Sequence, residues 1–489
     1  MSGRSISSLT IANENSPVPY ITEKKAEAPD YQFEVVLDET DDPQSMSPFR
    51  KWVIIVIISC ASLCVTCASS VASFAEQGVA KDFHVSHTVT ILSISLFVEG
   101  LGLGPLLVGP LSEVYGRSIV YRISYAFFFV FSWPIAFAPN IEVYLIFRFV
   151  TGFCGSAFLS VAGGSVSDLF DNATVANPMA FYTISPFIGP VLGPLISGFI
   201  NQNAHWRWTF RVLLIWIFVQ LVALFLFVPE TYVPVILKKK AARCLDLLSS
   251  VDMPIELDVR LRKSTGNHQL WAPLDRRDTN LTRAIIASCY TPFQLIWYDR
   301  MALLLNTWTS LILGILYLSF QAFPIIFEER HGFSMQQTGM TYLGIGLGMI
   351  CAMLSQPYWN RVVACTAEKN NGKAPPEARL YMGQVGGILV PLGLYWLAFT
   401  TYSSVHWIVP IIASVPFGAG IYFVFTAVFT YLVTAYRPIA ASAMASNSAM
   451  RSTFAAAFPL FAGAMYHKLG TVGATALLAG IMTMCVPLP

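Results

Sequence analysis

Long apolar runs recur along the chain from residue 52 to its end. Each is close to the roughly 20 residues that a helix needs to cross a hydrocarbon core of about 30 Å. They lie near residues 52–74, 88–111, 119–138, 143–167, 179–201 and 209–228, and then near 301–327, 338–359, 379–399, 405–430, 438–463 and 470–487. This pattern predicts an all-α polytopic membrane protein with twelve transmembrane helices in two six-helix halves.

The polar segments set the predicted domain boundaries. Residues 1–50 are polar and acidic, which predicts a disordered cytosolic tail. The N-terminal six-helix half then covers 51–228, a cytosolic central loop covers 229–300, and the C-terminal half covers 301–489.

The composition supports placement in a membrane. Hydrophobic residues make up 55% of the chain and charged residues 12%, whereas a soluble domain carries about 25% charged residues. The net charge of +2 argues against nucleic acid as a partner, which usually requires a concentrated basic face. The seven histidines are scattered, and no catalytic, metal or cofactor set assembles from them. We therefore predict a protein that is not an enzyme and has no cofactor.

Basic residues in the loops predict the orientation. Arg50 and Lys51 precede the first run, Arg117 and Arg122 follow the second, and the central loop is rich in lysine and arginine. The alternate loops hold only scattered basic residues. Both termini are therefore predicted to be cytosolic, in a multi-pass protein of the plasma membrane.

Six spans, a central loop and six more spans suggest two halves that rock around a site at the middle of the membrane, as in secondary transporters. The chain has no GxxxxGK[ST] motif for a nucleotide. Any uphill transport would then be driven by an ion gradient.

Three motifs resemble those of the major facilitator superfamily. "GPLSEVYGRS" carries Glu113 and Arg117 at the mouth of span 2, and "RFVTGFCGSA" carries Arg148 in span 4. "GPVLGPLISG" in span 5 resembles the signature of drug:proton antiporters through Gly189, Pro190, Gly193, Pro194 and Gly198. Paired Gly-Pro steps bend a helix and allow a neighbour to approach closely. Glu113 with Arg117 is interpreted as a charge-dependent gate.

Longer stretches such as "VPETYVPVILKKKAAR" and "SAMASNSAMRSTFAAAFPLFAG" resemble fungal twelve-span multidrug and polyamine antiporters. The resemblance implies a monomeric exporter of a drug, toxin or secondary metabolite in exchange for protons. Two positions depart from it. Gln321 stands where relatives often have an acid, and Glu99 stands where an aliphatic residue is more common.

Charged residues within membrane spans are expensive and are functional candidates by default. Glu99 and Arg451 lie at matched depth in spans 2 and 11, which are neighbours in the fold that the chain resembles, so we predict an ion pair that opens when Glu99 is protonated. A permanent structural pair and a protonated lipid-facing Glu99 remain alternatives. For Arg148 the resemblance implies proton coupling or substrate contact, and the alternative is a packing role against backbone carbonyls.

Side chains of the C-terminal half supply candidates for a pocket that takes a flat or amphipathic organic molecule. They are Trp308, Tyr317, Gln321, Phe417, Tyr422, Phe425 and Asn447. Two other functions remain open at this level, an importer of a nutrient or organic acid on the same fold and a receptor or scaffold that transports nothing.

Overall fold

The structure, a computed structural model, describes residues 42–171, 174–240, 281–369, 375–436 and 440–487. Within these ranges the chain is helical and contains no β-strand. The predicted N-terminal tail up to residue 41 and residues 241–280 of the predicted central loop lie outside the described residues.

The first six spans agree with the apolar runs to within four residues at each end. They are Pro48–Ser70, His87–Tyr115, Arg117–Ala136, Ile141–Leu169, Ala176–Asn203 and Arg207–Phe227. We call the end of the bundle at which span 1 begins the N-terminal face, and the other end the opposite face.

The last six spans complete the predicted twelve-helix fold. Spans 7 to 10 are Arg300–Glu329, Met335–Lys369, Glu377–Phe399 and Ile408–Ala435. One continuous segment, Ala440–Met484, contains spans 11 and 12, which meet at Gly470. Gly470 has a φ of 72°, a backbone conformation that glycine adopts without a steric penalty. The chain therefore turns between two helices without a loop.

Among the described residues, two helical segments occur where the sequence predicted only a loop, residues 233–240 and Leu281–Tyr298. Leu281–Tyr298 lies within the predicted 229–300 loop and packs against span 2. Its exposed side chains include Tyr290, Phe293 and Trp297. Polar residues interrupt the apolar stretches of this helix, so it lacks the continuous apolar run by which the spans were recognised.

Side-chain caps fix the start of several spans. The Asp299 carboxylate accepts a bond of 2.9 Å from the Met301 amide at the start of span 7. The Asn140 side chain accepts one of 3.0 Å from the Val143 amide at the start of span 4. A reciprocal pair between Ser334 and Gln337 begins span 8. These side chains satisfy amide groups that have no partner within the helix.

Spans 4, 7 and 8 are interrupted rather than uniform. Span 4 consists of Ile141–Gly155, Ala157–Ser160 and Ala162–Leu169. Span 7 ends in a π-helical stretch, Pro324–Glu329, which begins three residues after Gln321. Such irregular turns are common near functional sites, because they redirect side chains and expose backbone groups.

Glycines place span 2 close to its neighbours. A Cβ atom on Gly100 would meet the backbone of Phe149 and Phe153 in span 4. A Cβ atom on Gly102 would meet Ser452 in span 11. The Ser95 hydroxyl also donates a bond of 2.6 Å to the carbonyl of Ala456 in span 11. Span 2 is therefore packed between spans 4 and 11.

The exposure of apolar side chains separates peripheral spans from central ones. Span 6 exposes a row of large apolar side chains, among them Ile215, Phe218, Val219, Val222 and Leu226. Span 7 is buried along most of its length. An apolar outer surface matches a hydrocarbon environment, in which water does not penalise exposed leucine or phenylalanine.

Candidate functional site

Arg148 is fully buried in the N-terminal half, and backbone carbonyls satisfy its guanidinium. Nε donates to the Ser93 carbonyl at 3.0 Å. Nη1 donates to the Ala68 carbonyl at 2.8 Å, and Nη2 to the Ser69 carbonyl at 3.1 Å. The ring centroid of Phe97 lies 4.4 Å away. This geometry ties span 4 to spans 1 and 2, as the packing alternative requires, and a role in coupling stays a prediction.

Arg451, in the middle of span 11, has a different environment. Its Nε is buried and has no hydrogen-bond partner within the described part of the chain. The guanidinium lies 5.3 Å from the ring centroid of Phe429 in span 10. It is also within electrostatic range of Tyr182 in span 5 and Tyr317 in span 7. Because these neighbours belong to three other spans, the side chain is directed into the bundle.

The predicted ion pair between Glu99 and Arg451 is not formed in this conformation. None of the four ion pairs among the described residues includes either side chain. The half-buried Glu99 instead accepts a bond of 3.2 Å from the Thr453 hydroxyl. Thr453 follows Arg451 by two positions, which on a helix turns a side chain by about 200°. Spans 2 and 11 are therefore neighbours as expected. Glu99 contacts the side of span 11 that carries Thr453, whereas Arg451 projects from a different side of that helix.

Asn447, one turn before Arg451, belongs to a buried polar cluster between spans 7 and 11. Its Nδ2 donates to Asn306 Oδ1 at 2.9 Å and to Thr309 Oγ1 at 2.8 Å. Asn306 in turn donates to the Ser446 hydroxyl at 3.1 Å. Asn447 Oδ1 is buried and accepts no hydrogen bond from any described residue. It is an acceptor that a bound molecule could use.

Three phenylalanines meet where span 5 contacts span 10. The ring centroids of Phe187 and Phe425 are 4.7 Å apart, and those of Phe425 and Phe429 are 5.6 Å apart. Phe425 was a predicted pocket residue, whereas Phe187 and Phe429 were not singled out. The rings connect the first six spans to the last six, beside the Arg451 side chain.

The predicted pocket residues Tyr317 and Gln321 both contact the N-terminal half. The Tyr317 hydroxyl lies 2.7 Å from the Ser69 hydroxyl of span 1. Gln321 Nε2 donates to both carboxylate oxygens of Glu76, at 3.0 and 2.9 Å. Gln321 therefore fixes an acid that the N-terminal half supplies.

Glu76 was missed in the sequence because it lies in a short polar segment between spans 1 and 2. Its side chain is 3% exposed and lies 3.2 Å from Nε2 of His87, which begins span 2. Burial raises the pKa of the Glu76 carboxyl, and the bonds from His87 and Gln321 oppose this rise. A hydropathy profile cannot reveal the site, since the second half supplies the contact that buries this acid.

The remaining predicted pocket residues pack within the C-terminal half. Trp308 is fully buried, and a Cβ atom on Gly387 in span 9 would lie 3.0 Å from its ring. Phe417 fills the space beside Gly393 of span 9. The Tyr422 hydroxyl lies 3.4 Å from Gln356 of span 8. Helix packing accounts for these three positions.

The predicted gate of Glu113 and Arg117 has different partners. Glu113 is exposed, whereas Arg117 Nε lies 3.3 Å from Asp168 at the end of span 4. The amides of Arg117 and Ser118 donate to the Glu230 carboxylate at 2.8 and 3.2 Å. Because span 3 begins at Arg117, Glu230 lies at the N-terminus of that helix, where a negative charge is favoured. Asp168 and Glu230 therefore take the place that was predicted for Glu113.

The glycines of the span 5 motif face two different helices. A Cβ atom on Gly189 or Gly193 would collide with span 1, at Thr66 and Ser70. A Cβ atom on Gly198 would lie 2.7 Å from the Met335 carbonyl at the start of span 8. Span 5 therefore packs closely against span 1 within its own half and against span 8 of the other half.

A twelve-span helical bundle with polar contacts between its first and last six spans is the architecture of secondary membrane transporters. The family model of the Major Facilitator Superfamily matches residues 58–459. The chain belongs to the Major Facilitator Superfamily.

Similar proteins include two fungal transporters. "Efflux pump atB" of Aspergillus terreus is 43% identical over 458 residues, which cover 92% of this chain and 85% of that protein. "Probable drug/proton antiporter YHK8" of Saccharomyces cerevisiae is 39% identical and covers 93% and 86%. Among solved structures, the human organic anion transporter MFSD10 (TETRAN) matches with a TM-score of 0.60 over 91% of this chain and all of that one. At 15% identity this last likeness supports the fold alone.

Proposed function

We propose that the protein exports a small organic compound in exchange for protons, by alternating access and without covalent chemistry. Membership of the Major Facilitator Superfamily and the names of the two fungal relatives support this function. The Gly-Pro motif of span 5 agrees with it, because its glycines allow close contact with helices of both halves.

The observation that carries the proton-exchange proposal is the bond between Glu76 and Gln321. A buried, titratable carboxylate joins the N-terminal half to span 7 at the opposite face. Protonation removes the negative charge that Gln321 and His87 stabilise, so it changes the strength of a contact between the halves. Glu76 is therefore the acid that we propose to bind and release the transported proton. Glu99 stays a second candidate.

The proposed location is the plasma membrane, with the N-terminal face in the cytosol. The basic residues Arg50, Lys51, Arg117 and Arg122 lie at this face, which supports the orientation through the preference of lysine and arginine for cytosolic loops. We propose the monomer as the transporting unit, because the bond between Glu76 and Gln321 that joins the two halves lies within one chain.

Inverted plasma-membrane vesicles test the direction and the coupling together. Exporters in such vesicles accumulate substrate when the lumen is made acidic, and a panel of fluorescent aromatic compounds of differing charge supplies the probes. We expect proton-dependent uptake by the wild type and a loss of at least about tenfold, or ~1.4 kcal/mol, in Glu76→Gln. Glu142→Gln changes an exposed acid at the start of span 4 and is the matched control.

Each alternative function gives a different result in these vesicles. An importer would release preloaded compound from the vesicles under the same gradient. A receptor or scaffold would show no flux that depends on protons. If proton-dependent uptake were unchanged in Glu76→Gln and lost in Glu99→Gln, Glu99 would be the acid that binds the transported proton.

A further inference from the structure

The Arg451 guanidinium has no counter-charge among the residues that the structure describes. The sequence places it in the middle of span 11, and no described carboxylate forms an ion pair with it. Its Nε is shielded from solvent yet donates no hydrogen bond. A charged side chain in the interior of the membrane without a counter-charge is costly, and such residues mark the pathways of substrates and ions.

Arg148 shows how the same chain satisfies the donors of a buried arginine. Three backbone carbonyls accept from its guanidinium, and Phe97 covers one face of it. Arg451 has no such set of acceptors. Both guanidiniums lie within electrostatic range of Tyr317, so the region around Tyr317 has two positive charges. Neither forms an ion pair with a described acid.

The groups beside Arg451 indicate what else a bound molecule would contact. The ring of Phe429 lies 5.3 Å from the guanidinium, and Phe425 and Phe187 continue the aromatic surface. Asn447 lies one turn away along span 11, hence on the same face of the helix as Arg451. Its Oδ1 is the acceptor without a partner.

We propose that Arg451 binds the negative charge of a planar organic anion, such as an aromatic carboxylate. The ring of the anion packs against Phe425 and Phe429, and a hydroxyl or amine on it donates to Asn447 Oδ1. A carboxylate matches the two parallel donors of a guanidinium, which gives orientation as well as affinity. This assignment rests on the proposed export function and specifies its substrate class.

Binding to the purified full-length protein in lipid nanodiscs tests the substrate class without any transport. Isothermal titration calorimetry would compare three probes with one ring system, 2-naphthoate, 2-naphthamide and 2-naphthylmethylammonium. We expect the wild type to bind the carboxylate at least about tenfold more tightly than either other probe. Arg451→Gln should remove this preference, and Arg451→Lys should keep a weaker one, because an ammonium retains the charge but not the paired donors.

Arg361→Gln removes an exposed arginine of span 8 and is the matched control, in which the carboxylate preference should persist. Asn447→Leu should weaken the binding of 3-hydroxy-2-naphthoate by a larger factor than that of 2-naphthoate, because only the hydroxylated probe can donate to Asn447 Oδ1. Thermal melting of each variant verifies that it is folded. If Arg451→Gln does not fold, the comparison of Arg451→Lys with the wild type tests the inference.

Three results would overturn the inference. They are equal affinity for the three probes, a preference for the ammonium, and no detectable binding of the carboxylate at millimolar concentration. A carboxylate preference that survives in Arg451→Gln would reject Arg451 as its origin. If the preference depends on Arg451 while vesicles show no proton-dependent flux, the inference stands and the export function fails.

Discussion

Gln321 and Glu76 are 245 residues apart in the chain, yet one amide nitrogen donates to both carboxylate oxygens. Gln321 belongs to span 7, and Glu76 to the short helix Glu76–Phe83 between spans 1 and 2. The bond joins the two halves beside the π-helical end of span 7. The strength of this connection depends on the charge of one buried group.

The first prediction concerns the pH dependence of stability. Burial raises the pKa of the Glu76 carboxyl, so the folded state favours its protonated form. The protonated Glu76 carboxyl stabilises the folded state fully at pH values below its ordinary pKa. This stabilisation is lost as the pH rises through the raised pKa of the folded state. At neutral pH, Glu76→Gln should therefore have a larger free energy of unfolding than the wild type, by about 1.4 kcal/mol for each unit by which the pKa is raised. It should also melt at a higher temperature.

Differential scanning fluorimetry from pH 4 to 9 measures this effect. The two melting curves should converge toward acid pH, where Glu76 is protonated in both the folded and the unfolded chain. Glu142→Gln should follow the wild type at every pH. A constant difference between wild type and Glu76→Gln across the range would contradict the prediction.

The second prediction concerns the contact between spans 5 and 8. A Cβ atom on Gly198 would lie 2.7 Å from the Met335 carbonyl, and one on Gly339 would lie 2.7 Å from the Pro194 carbonyl. Alanine at either position pushes spans 5 and 8 apart. We therefore expect a larger population of molecules in which these two spans are separated at the opposite face. Electron–electron distance measurements between spin labels on spans 5 and 8 would show a longer component.

Gly463→Ala is the control for this pair, because a Cβ atom at that position meets nothing within 4 Å. It should stabilise span 11 by about 0.5–1 kcal/mol through helix propensity and leave the distances unchanged. Identical distance distributions in Gly198→Ala and the wild type would show that the contact between spans 5 and 8 does not control closure.

The third prediction separates two acids near the start of span 3. The Glu230 carboxylate accepts from the amides of Arg117 and Ser118, whereas Glu113 is exposed. Glu230→Gln should lower stability by about 1–2 kcal/mol, since it removes charge-assisted bonds at a helix N-terminus. Glu113→Gln should change it by less than about 0.5 kcal/mol. Thermal melting in detergent measures both, and equal effects would restore the gate predicted for Glu113.

The fourth prediction concerns Arg148. Arg148→Met leaves the carbonyls of Ala68, Ser69 and Ser93 without their donors. Since each unsatisfied buried group costs about 1–3 kcal/mol, we expect a loss of at least about 3 kcal/mol and poor yield of folded protein. Size-exclusion profiles and melting curves report the loss. Arg148→Lys should be intermediate, and a stable Arg148→Met that lacks transport would favour the coupling role instead.

The sequence was sufficient for the fold because hydrophobic length determines each span independently of tertiary contacts. It did not reveal the interruption of span 4 after Gly155, since a hydropathy profile does not respond to backbone conformation. The fold that the chain resembles correctly placed span 2 beside span 11, as the bond from Ser95 to the Ala456 carbonyl shows. The depth of a residue in the membrane contains no information about the rotation of its helix about its own axis. Glu99 was therefore predicted to pair with Arg451, whereas Glu99 contacts Thr453.

The candidate site was less predictable because its residues are defined by distant partners. Glu76 resembles an ordinary loop acid until Gln321 approaches it from the other half. Trp308 resembles a pocket aromatic until the glycines of span 9 leave space for its ring. In both cases the environment of the side chain, rather than its type, determines its role. That environment exists only in the packed bundle.

Arg451, which pairs with no described acid, has a consequence for the driving force of transport if it binds an anion. When a monovalent anion leaves in exchange for one entering proton, two positive charges in effect move inward in each cycle. An inside-negative voltage favours each by about 2.3 kcal/mol per 100 mV, so about 4.6 kcal/mol is available without any pH difference. Such a transporter would continue to work in neutral surroundings. Its activity would fail when the membrane is depolarised.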